Sequence, residues 1–435
     1  MVERLTARRL ETALATAQVS GRLPSVAAGV VRDHELAWTS GDPDLQYRIG
    51  SITKTLTTVL VLQLRNEGLL SLADPLEKHL PGVGYGDRSI RALLSHSSGM
   101  QSEPEGPWWE RAPGVTFAEL AASIDTTKGP FESGETFHYT NLAFGLLGEV
   151  VGRLRGRSWW ECVSERVLEP LGMTRTSYHP VAPHAQGFSV HPYLNTLTEE
   201  PHQDTGAMAA AGQAWSTVED LGRYATFLVE GHPAVLPAET IAEMSTPQAG
   251  SLSDGLSSGY GLGLRLVAHR GRTLVGHTGS MPGFQASLFV DRPRRTGAVV
   301  LANSTTGLAS DSIAPALLEV IEDSEPSAPP PWRPAESVPD EVADLAGVWH
   351  WGNTGFVFTW YGAEVVVTSL RTGEERDRFR PAGDGTFVGT SGYHHGETLR
   401  LVRSPNGEVD HLLVATFVFT RAPYDPRAPI PGGAP

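Results

Sequence analysis

The sequence predicts an α+β domain followed by a small antiparallel all-β domain. Strand patterns occur at both ends of the first part of the chain, with helical patterns between them. A Pro- and Ser-rich segment then interrupts the chain, and closely spaced strand patterns follow it. Strands from both ends of a domain can form one antiparallel sheet, with the helices packed on it and beside it. We therefore expect domains at 1–322 and 340–422, a linker at 323–339 and a tail at 423–435.

The first domain opens with a helix and two strands. Charges spread through MVERLTARRLETALATAQVS predict an amphipathic helix rather than a signal peptide. Residues 26–40, VAAGVVRDHELAWTS, alternate well enough to predict two strands around a polar turn at 32–34. An apolar helix follows within 48–70, and helical segments broken by Gly and Pro continue to about residue 175. Residues 216–230 combine Ser and Thr, early acidic residues and a 3.6-residue apolar period, which predicts a capped helix.

Strands return before and after the proposed linker. The segments YGLGLRLV, TLVGHT, QASLFV and TGAVVLA predict the second set of strands of the first domain. The segment DSEPSAPPPWRPAESVP has the composition of a linker. Beyond it, AGVWHW, GFVFTWY, EVVVTSL, GTFVG, LRLVR and HLLVATFVFT predict short strands, which favours a small antiparallel barrel or half-barrel.

Charge and composition exclude several classes of protein. A net charge of −15 argues against nucleic acid or an anionic membrane as the main partner. No stretch approaches the ~18 apolar residues of a membrane span. The only cysteine, Cys162, excludes an internal disulfide and fits a reducing compartment. The histidines, His394–His395 included, form no metal-binding motif. We expect a soluble, cytoplasmic protein without metal or cofactor, whose oligomeric state is open.

Ser51 and Lys54 form a candidate nucleophile and base. The chain has only three lysines, and Lys54 stands in the first turn of an apolar helix, three residues after Ser51. That spacing puts both side chains on one face of a helix. A lysine amine in an apolar pocket can lose its proton and act as the base for a serine. The alternative is that Ser51 caps the helix and Lys54 points to water.

Two further segments carry candidate site residues. In FHYTN, Tyr139 could share a proton with the lysine, and the Asn141 amide could hold a substrate carbonyl or the lysine. The alternative is a core tyrosine followed by a helix-capping asparagine. In GHTGS, His277, Thr278 and Gly279 could line a substrate slot between two strands. The amide of Ser280 could join that of Ser51 as an oxyanion hole, unless the segment is an ordinary connection.

Other patterns carry less weight. Residues 255–259 match the G-x-S-x-G motif, but polar residues stand where that motif needs a buried strand, so Ser257 is not expected to be catalytic. A second Y-x-N sequence at 193–195 lies in a polar loop. Trp108 and Trp109 fit a pocket wall and core packing equally well.

Together, these segments resemble the penicillin-binding protein and class C β-lactamase superfamily of serine hydrolases. The spacings are similar, with 88 residues from Ser51 to Tyr139 and 138 from Tyr139 to His277. Segments such as RIGSITKTLT, GLLSLADPLEKHLPG and RALLSHSSGM add to the resemblance, which covers about residues 20–322. It implies a β-lactamase/transpeptidase-like fold with Ser51 as acylated nucleophile and Lys54 as its base. It also implies that Tyr139 is the acid/base for the leaving group and deacylation, and that Asn141 binds the substrate amide.

The third segment departs from the Lys-Thr-Gly of many β-lactamases. Its His277 is mostly neutral near pH 7, which predicts weak binding of anionic β-lactams. The His form is similar to that of related esterases, D-amino-acid amidases and peptidases, and peptide-cyclising members. Those relatives can carry a C-terminal, lipocalin-like barrel resembling residues 340–422, and in some of them a barrel loop reaches the active site.

The resemblance implies an enzyme that forms an acyl-enzyme at Ser51. The expected substrate is a small ester, amide or peptide, with weak or no β-lactamase activity; an esterase, a D-aminopeptidase, a carboxypeptidase and a transacylase all fit. One alternative is an acyltransferase or peptide cyclase that passes the acyl group to an amine. The other is a non-catalytic binding protein that kept the fold.

Overall fold

The protein forms two compact units, Met1–Ser327 and Ala328–Pro435. The structure is a computed structural model that describes residues 1–109, 111–250, 257–326 and 331–423. Of the predicted linker, residues 327–330 lie outside the described residues, as do 424–435 of the predicted tail and Gly255 and Leu256 of the G-x-S-x-G match. No helix of the described residues is long and apolar enough to span a membrane.

The helices occur mainly in the first unit. They are α1 Arg4–Gly21, α2 Thr53–Asn66, α3 Ile90–Leu94, α4 Phe117–Ser123, α5 Asn141–Arg155, α6 Trp159–Val163, α7 Glu169–Leu171, α8 Ala209–Gly212, α9 Val218–Glu230, α10 Ala238–Met244, α11 Ile313–Ser324 and α12 Asp340–Leu345. Short 3₁₀ turns lie at Gly50–Ile52, Leu76–Lys78, Thr126–Lys128 and Gly206–Met208, and a π-helical turn at Ser164–Leu168.

The strands divide between the two units. The first unit contains β1 Val26–Arg32, β2 Glu35–Ser40, β3 Tyr47–Arg48, β4 Phe188–Val190, β5 Leu197–Glu199, β6 Trp215–Ser216, β7 Ala249–Gly250, β8 Ser258–Tyr260, β9 Arg265–His269, β10 Arg272–Met281, β11 Phe284–Asp291 and β12 Thr296–Ala302. The second contains β13 Gly347–Trp351, β14 Thr354–Tyr361, β15 Glu364–Ser369, β16 Glu375–Pro381, β17 Thr386–Gly392, β18 Thr398–Arg403, β19 Val409–Val414 and β20 Phe417–Phe419.

One antiparallel sheet organises the first unit, with the order β2-β1-β12-β11-β10-β9-β8-β7. Because β1 pairs with β12, strands from the two ends of the unit meet in this sheet, as the sequence predicts. Both faces of the sheet are covered, since successive side chains of a strand point to opposite faces. Ala28 and Val30 pack with α1 and α11, whereas Ala27 and Val31 belong to the core shared with the remaining helices.

Helix α2 is the central helix of the helical region. Every residue from Thr53 to Leu64 is buried, including Lys54. A helix that is buried on all sides cannot present a polar face to water, so a charged or polar side chain on it must find partners inside the protein. This burial determines the environment of the candidate base.

The second unit is a nearly closed barrel. Its strands follow chain order from β13 to β20, all antiparallel neighbours. His350 and Thr420 exchange backbone hydrogen bonds of 2.7 and 2.9 Å, which link the first strand to the end of the last. The barrel therefore leaves little free edge. Both parts of the predicted fold class, the α+β domain and the barrel-like all-β domain, are confirmed.

The structure differs from the predicted elements in local details. The predicted strand YGLGLRLV is interrupted, because a turn closed by the hydrogen bond from Gly261 N to Leu264 O separates β8 from β9. The GHTGS segment lies inside β10 instead of ending a strand, since β10 stays paired with β11 as far as Met281. Helix α11 continues through Ser324, so it includes the first two residues of the predicted linker.

Candidate active site

Ser51 lies on the 3₁₀ turn that leads into α2, directly against β10. Gly50 has a φ of 51°, and a Cβ there would lie 2.5 Å from the backbone N of Ser280. A Cβ at Gly279 would lie 1.9 Å from the carbonyl O of Ile49. Glycine is therefore required at both positions. Their contact places the backbones of Ser51 and Ser280 side by side, where the sequence predicts an oxyanion hole.

Lys54 is fully buried, and its amine lies next to the Ser51 hydroxyl. Its Nζ lies 2.8 Å from Ser51 Oγ and donates to the carbonyl O of Ala211 at 2.7 Å. Burial lowers the pKa of Lys54 to about 7, although the carboxylate of Glu103 acts in the opposite direction. An amine with that pKa is partly neutral at physiological pH and can accept a proton. The alternative in which Lys54 points to water is wrong.

The Ser51 side chain does not cap helix α2. The N-cap residue of α2 is Ile52, and no side-chain cap hydrogen bond is made there. The hydroxyl of Ser51 instead lies between Lys54 and Tyr139, with which it shares side-chain hydrogen bonds. The Ser51 hydroxyl is therefore directed at the Lys54 amine and the Tyr139 phenol, not at the helix end.

Tyr139 stands two residues before α5 and faces the same hydroxyl. Its ring centroid lies 5.1 Å from Lys54 Nζ. Burial raises the pKa of Tyr139, while the hydrogen bond with Ser51 lowers it less. Tyr139 therefore keeps its proton near neutral pH and can give it to a leaving group.

The His96 ring packs against the Tyr139 ring. The two rings stack with centroids 4.2 Å apart and an interplanar angle of 29°. His96 Nδ1 accepts the backbone N–H of Thr140 at 3.0 Å, which fixes the imidazole next to the tyrosine. Burial, followed by the charge of Lys54, holds the pKa of His96 well below its usual range, so the ring is neutral.

Asn141 is the first residue of α5, whose N-cap is Thr140 rather than Asn141. Its Nδ2 donates to Glu103 Oε1 at 2.6 Å, and Trp108 Nε1 donates to Glu103 Oε2 at 2.6 Å. Burial raises the pKa of Glu103, against the effect of these two hydrogen bonds. Asn141 Oδ1 is buried without a hydrogen-bond partner among the described residues, so it can still accept a substrate N–H.

His277 is buried within β10 and only 1% exposed, so it contributes little surface to a substrate. A carbonyl oxygen only accepts, so Nδ1 must donate to the carbonyl O of Thr278. Its Nε2 then accepts the Tyr260 hydroxyl at 2.6 Å. Burial lowers the pKa of His277 to about 3, with a further effect of Lys54. The neutral state that the sequence predicts is supported by this tautomer.

Arg265 is a cation in the site that the sequence analysis missed. Its guanidinium donates to Thr278 Oγ1 at 3.2 Å and pairs with Asp311, whose side chain is 70% exposed. A substrate carboxylate could replace the exposed Asp311 as its partner. The weak binding of anionic β-lactams was expected from His277 alone, whereas the structure places the Arg265 guanidinium beside Thr278.

One cavity of about 1100 Å³ joins these groups. Seven of the eight candidate residues line it, and Lys54 lies behind Ser51. The lining candidates are Ser51, Tyr139, Asn141, His277, Thr278, Gly279 and Ser280. Glu103, Tyr260 and Arg265 also line it, and no sequence motif marks them. Trp109 contributes to the wall, whereas Trp108 is buried and holds Glu103.

Ser257, the serine of the G-x-S-x-G match, does not line the cavity, although its neighbours Ser258 and Gly259 do. Ser257 is exposed, and Tyr193 of the second Y-x-N sequence is 87% exposed. Across residues 1–109, 111–250, 257–326 and 331–423, no group of three or more His, Cys, Asp and Glu side chains could hold a metal ion.

Comparison with known proteins identifies the family. The Beta-lactamase family model matches residues 3–321, so the chain belongs to this family. Residues 338–421 match a second model, described as a domain of unknown function (DUF7586). This second match covers the strands of the barrel.

Three relatives illustrate the extent of the similarity. The chain is 26% identical to Beta-lactamase-like protein 2 of Dictyostelium discoideum over 66% of its length, and spans only 56% of that protein. The octameric penicillin-binding protein homologue from Pyrococcus abyssi shares the fold, with a TM-score of 0.67, 23% identity and coverage of 95% of this chain and 99% of that one. A D-stereospecific amidohydrolase from Streptomyces sp. has a TM-score of 0.62 and 27% identity, covering 74% of this chain and 99% of that one.

Proposed function

We propose that the protein hydrolyses a small amide or peptide through an acyl-enzyme at Ser51. The observation that carries this proposal is the 2.8 Å contact between Ser51 Oγ and a buried lysine amine with a pKa of about 7. A serine hydroxyl needs an adjacent base to attack a carbonyl carbon at neutral pH. Lys54 is close enough, and neutral often enough, to be that base.

Acylation uses the groups already in contact. Neutral Lys54 takes the proton of Ser51 as Oγ bonds to the carbonyl carbon, and the backbone amides of Ser51 and Ser280 stabilise the resulting oxyanion. Tyr139 donates its proton to the leaving nitrogen as the C–N bond breaks, and regains one from Lys54. Water then attacks the carbonyl carbon of the acyl-enzyme ester, and protons move along the same path in reverse. This step releases the acid and restores the Ser51 hydroxyl.

The polar groups of the cavity favour a substrate with amide groups. Asn141 Oδ1 can accept an amide N–H, and the Glu103 carboxylate beside it suits a hydrogen-bond donor or an amine. Arg265, next to Thr278, suits a carboxylate at the other end of a short peptide. A relative named as a D-stereospecific amidohydrolase supports an amide as the bond that is cleaved. Because Arg265 supplies a positive charge, the replacement of the usual lysine by His277 does not exclude anionic substrates, β-lactams included.

Transfer of the acyl group to an amine is the second candidate. The cavity of about 1100 Å³ exceeds the usual upper range of about 1,000 Å³ for a small-molecule pocket. That volume can hold an acyl group and an acceptor amine together. Added amines would then compete with water and yield a new amide, which product analysis detects.

The test is a side-by-side assay of p-nitroanilides of D- and L-amino acids, p-nitrophenyl esters and nitrocefin. We expect turnover of at least one amide or ester, its loss in Ser51→Ala, and no change in Ser257→Ala, which alters an exposed serine outside the cavity. Equal activity of Ser51→Ala and the wild type would refute the proposal. A folded wild type inert toward the whole panel and toward covalent serine probes would favour the non-catalytic binding protein.

A further inference from the structure

The barrel of the second unit contains a cavity of its own. It has a volume of about 350 Å³ and is lined only by residues of this unit, most of them Trp, Tyr or Phe. This volume lies near the lower end of the range for small-molecule pockets, which begins at about 300 Å³. The cavity is therefore large enough for one small ring compound.

Aromatic side chains line the cavity because they face inward on several strands. On β13, Trp349 is fully buried, and Trp351, two residues later on the same face, lines the cavity while remaining 46% exposed. The Trp351 ring meets that of Phe417 edge to face, with centroids 5.4 Å apart. Trp351 therefore offers exposed aromatic surface in the lining of the cavity, which a bound ring would cover.

The polar residues of the lining are Glu375, Arg376, Asp377 and His394, and the last two are in contact. Asp377 Oδ1 accepts the backbone N–H of His394 at 2.8 Å and lies 3.2 Å from His394 Nδ1. The surroundings of Asp377 are tightly packed, because a Cβ at Gly392, whose φ is 81°, would lie 2.6 Å from Asp377 Oδ1. Stability alone does not explain why a carboxylate and an imidazole are buried here, since apolar residues of similar volume often stabilise a core as well or better.

The free nitrogen of this pair defines the ligand chemistry. Nδ1 faces the Asp377 carboxylate, which only accepts hydrogen bonds, so this geometry places the ring proton on Nδ1 and leaves Nε2 as the acceptor. Nε2 is buried and has no hydrogen-bond partner in the described part of the chain. The His394 side chain, only 10% exposed, lines the cavity and meets the Phe417 ring edge to face at 5.3 Å. A ligand with one hydrogen-bond donor would supply the missing partner.

We propose that this barrel cavity binds a small uncharged phenol. The ring would lie among the aromatic side chains near Trp351 and Phe417, and the hydroxyl would donate to Nε2 of His394. The other carboxylate of the wall, Glu375, is paired with Arg378 at 2.6 Å, so it does not compete for the hydroxyl. The proposal does not depend on the chemistry of Ser51.

Calorimetric titration of the full chain with p-cresol and 4-methylanisole tests the proposal, because the second compound has the same ring but no donor. We expect saturable p-cresol binding, about three- to tenfold tighter than that of 4-methylanisole, as one hydrogen bond contributes. Trp351→Ala should weaken p-cresol binding about threefold or more. The matched control Trp332→Ala, which changes a 79% exposed tryptophan outside the cavity, should not.

Further variants make the outcome decisive. In His394→Phe the preference for p-cresol over 4-methylanisole should disappear; if this variant does not fold, the ligand pair and Trp351→Ala decide. Ser51→Ala should bind p-cresol as the wild type does, and loss of binding there would place the ligand in the other cavity and overturn the proposal. Absence of saturable binding, equal affinity for the two compounds, or tighter binding of 4-methylbenzoate would also overturn it.

Discussion

The protonation of Lys54 is expected to control the rate at acid and neutral pH. Burial lowers its pKa from 10.5 to about 7, which corresponds to roughly 5 kcal/mol. An ordinary lysine would be neutral in only about one molecule in 3,000 at pH 7, whereas Lys54 is neutral in about half. Between pH 6 and pH 8 the neutral fraction rises from about 9% to about 91%, so kcat/KM should rise about tenfold.

The assay is the pH profile of kcat/KM for an uncharged p-nitrophenyl ester, read at a wavelength where both forms of the product absorb equally. An uncharged substrate ensures that the inflection belongs to the free enzyme. Lys54→Arg should lose activity by about 10²- to 10⁴-fold, because a guanidinium does not give up its proton. A profile that is flat or falling between pH 6 and 8, or a Lys54→Arg variant with near-normal rate, would refute the role of Lys54 as base.

Three further outcomes are expected. Since the folded pKa of Lys54 lies below the unfolded one, the unfolded state binds more protons between pH 7 and 10.5, and stability rises with pH there. Lys54→Met should therefore raise the free energy of unfolding, and in urea titrations this increase should be about 2 kcal/mol smaller at pH 9 than at pH 7. An increase of the same size at both pH values would contradict the lowered pKa of Lys54. Glu103 raises the pKa of Lys54, so Glu103→Gln should move the rate inflection to lower pH, whereas the exposed neighbour Glu105→Gln should not. Arg265→Gln should raise KM about tenfold or more for a substrate with a carboxylate and leave that of an uncharged ester unchanged; equal effects on both would exclude carboxylate binding.

The parts of the site that depend on local sequence could be predicted. Ser51 and Lys54 are three residues apart, so a single helical turn brings them together whatever the rest of the fold does. The meeting of β1 with β12 was also predictable, because both strands have strong apolar patterns and lie at the two ends of the unit.

The missed residues reach the site through tertiary structure. Glu103 lies in a loop, and its place is fixed by hydrogen bonds from Asn141 and Trp108, one of them 38 residues away. Arg265 begins a strand, where an arginine ordinarily marks a solvated edge. His277 lines the cavity, as expected, but it is only 1% exposed, and its Nε2 is bound by Tyr260 inside the protein. None of these contacts leaves a spacing that a single sequence reveals.

The claim that Ser51 is the acylated nucleophile is tested most directly by covalent labelling. The protein is treated with a fluorophosphonate, and the modified peptide is identified by mass spectrometry after digestion. We expect a single adduct on Ser51, formed faster at pH 8 than at pH 6 and absent in Ser51→Ala. An adduct on Ser257 or on any other serine, with Ser51 unmodified, would contradict it.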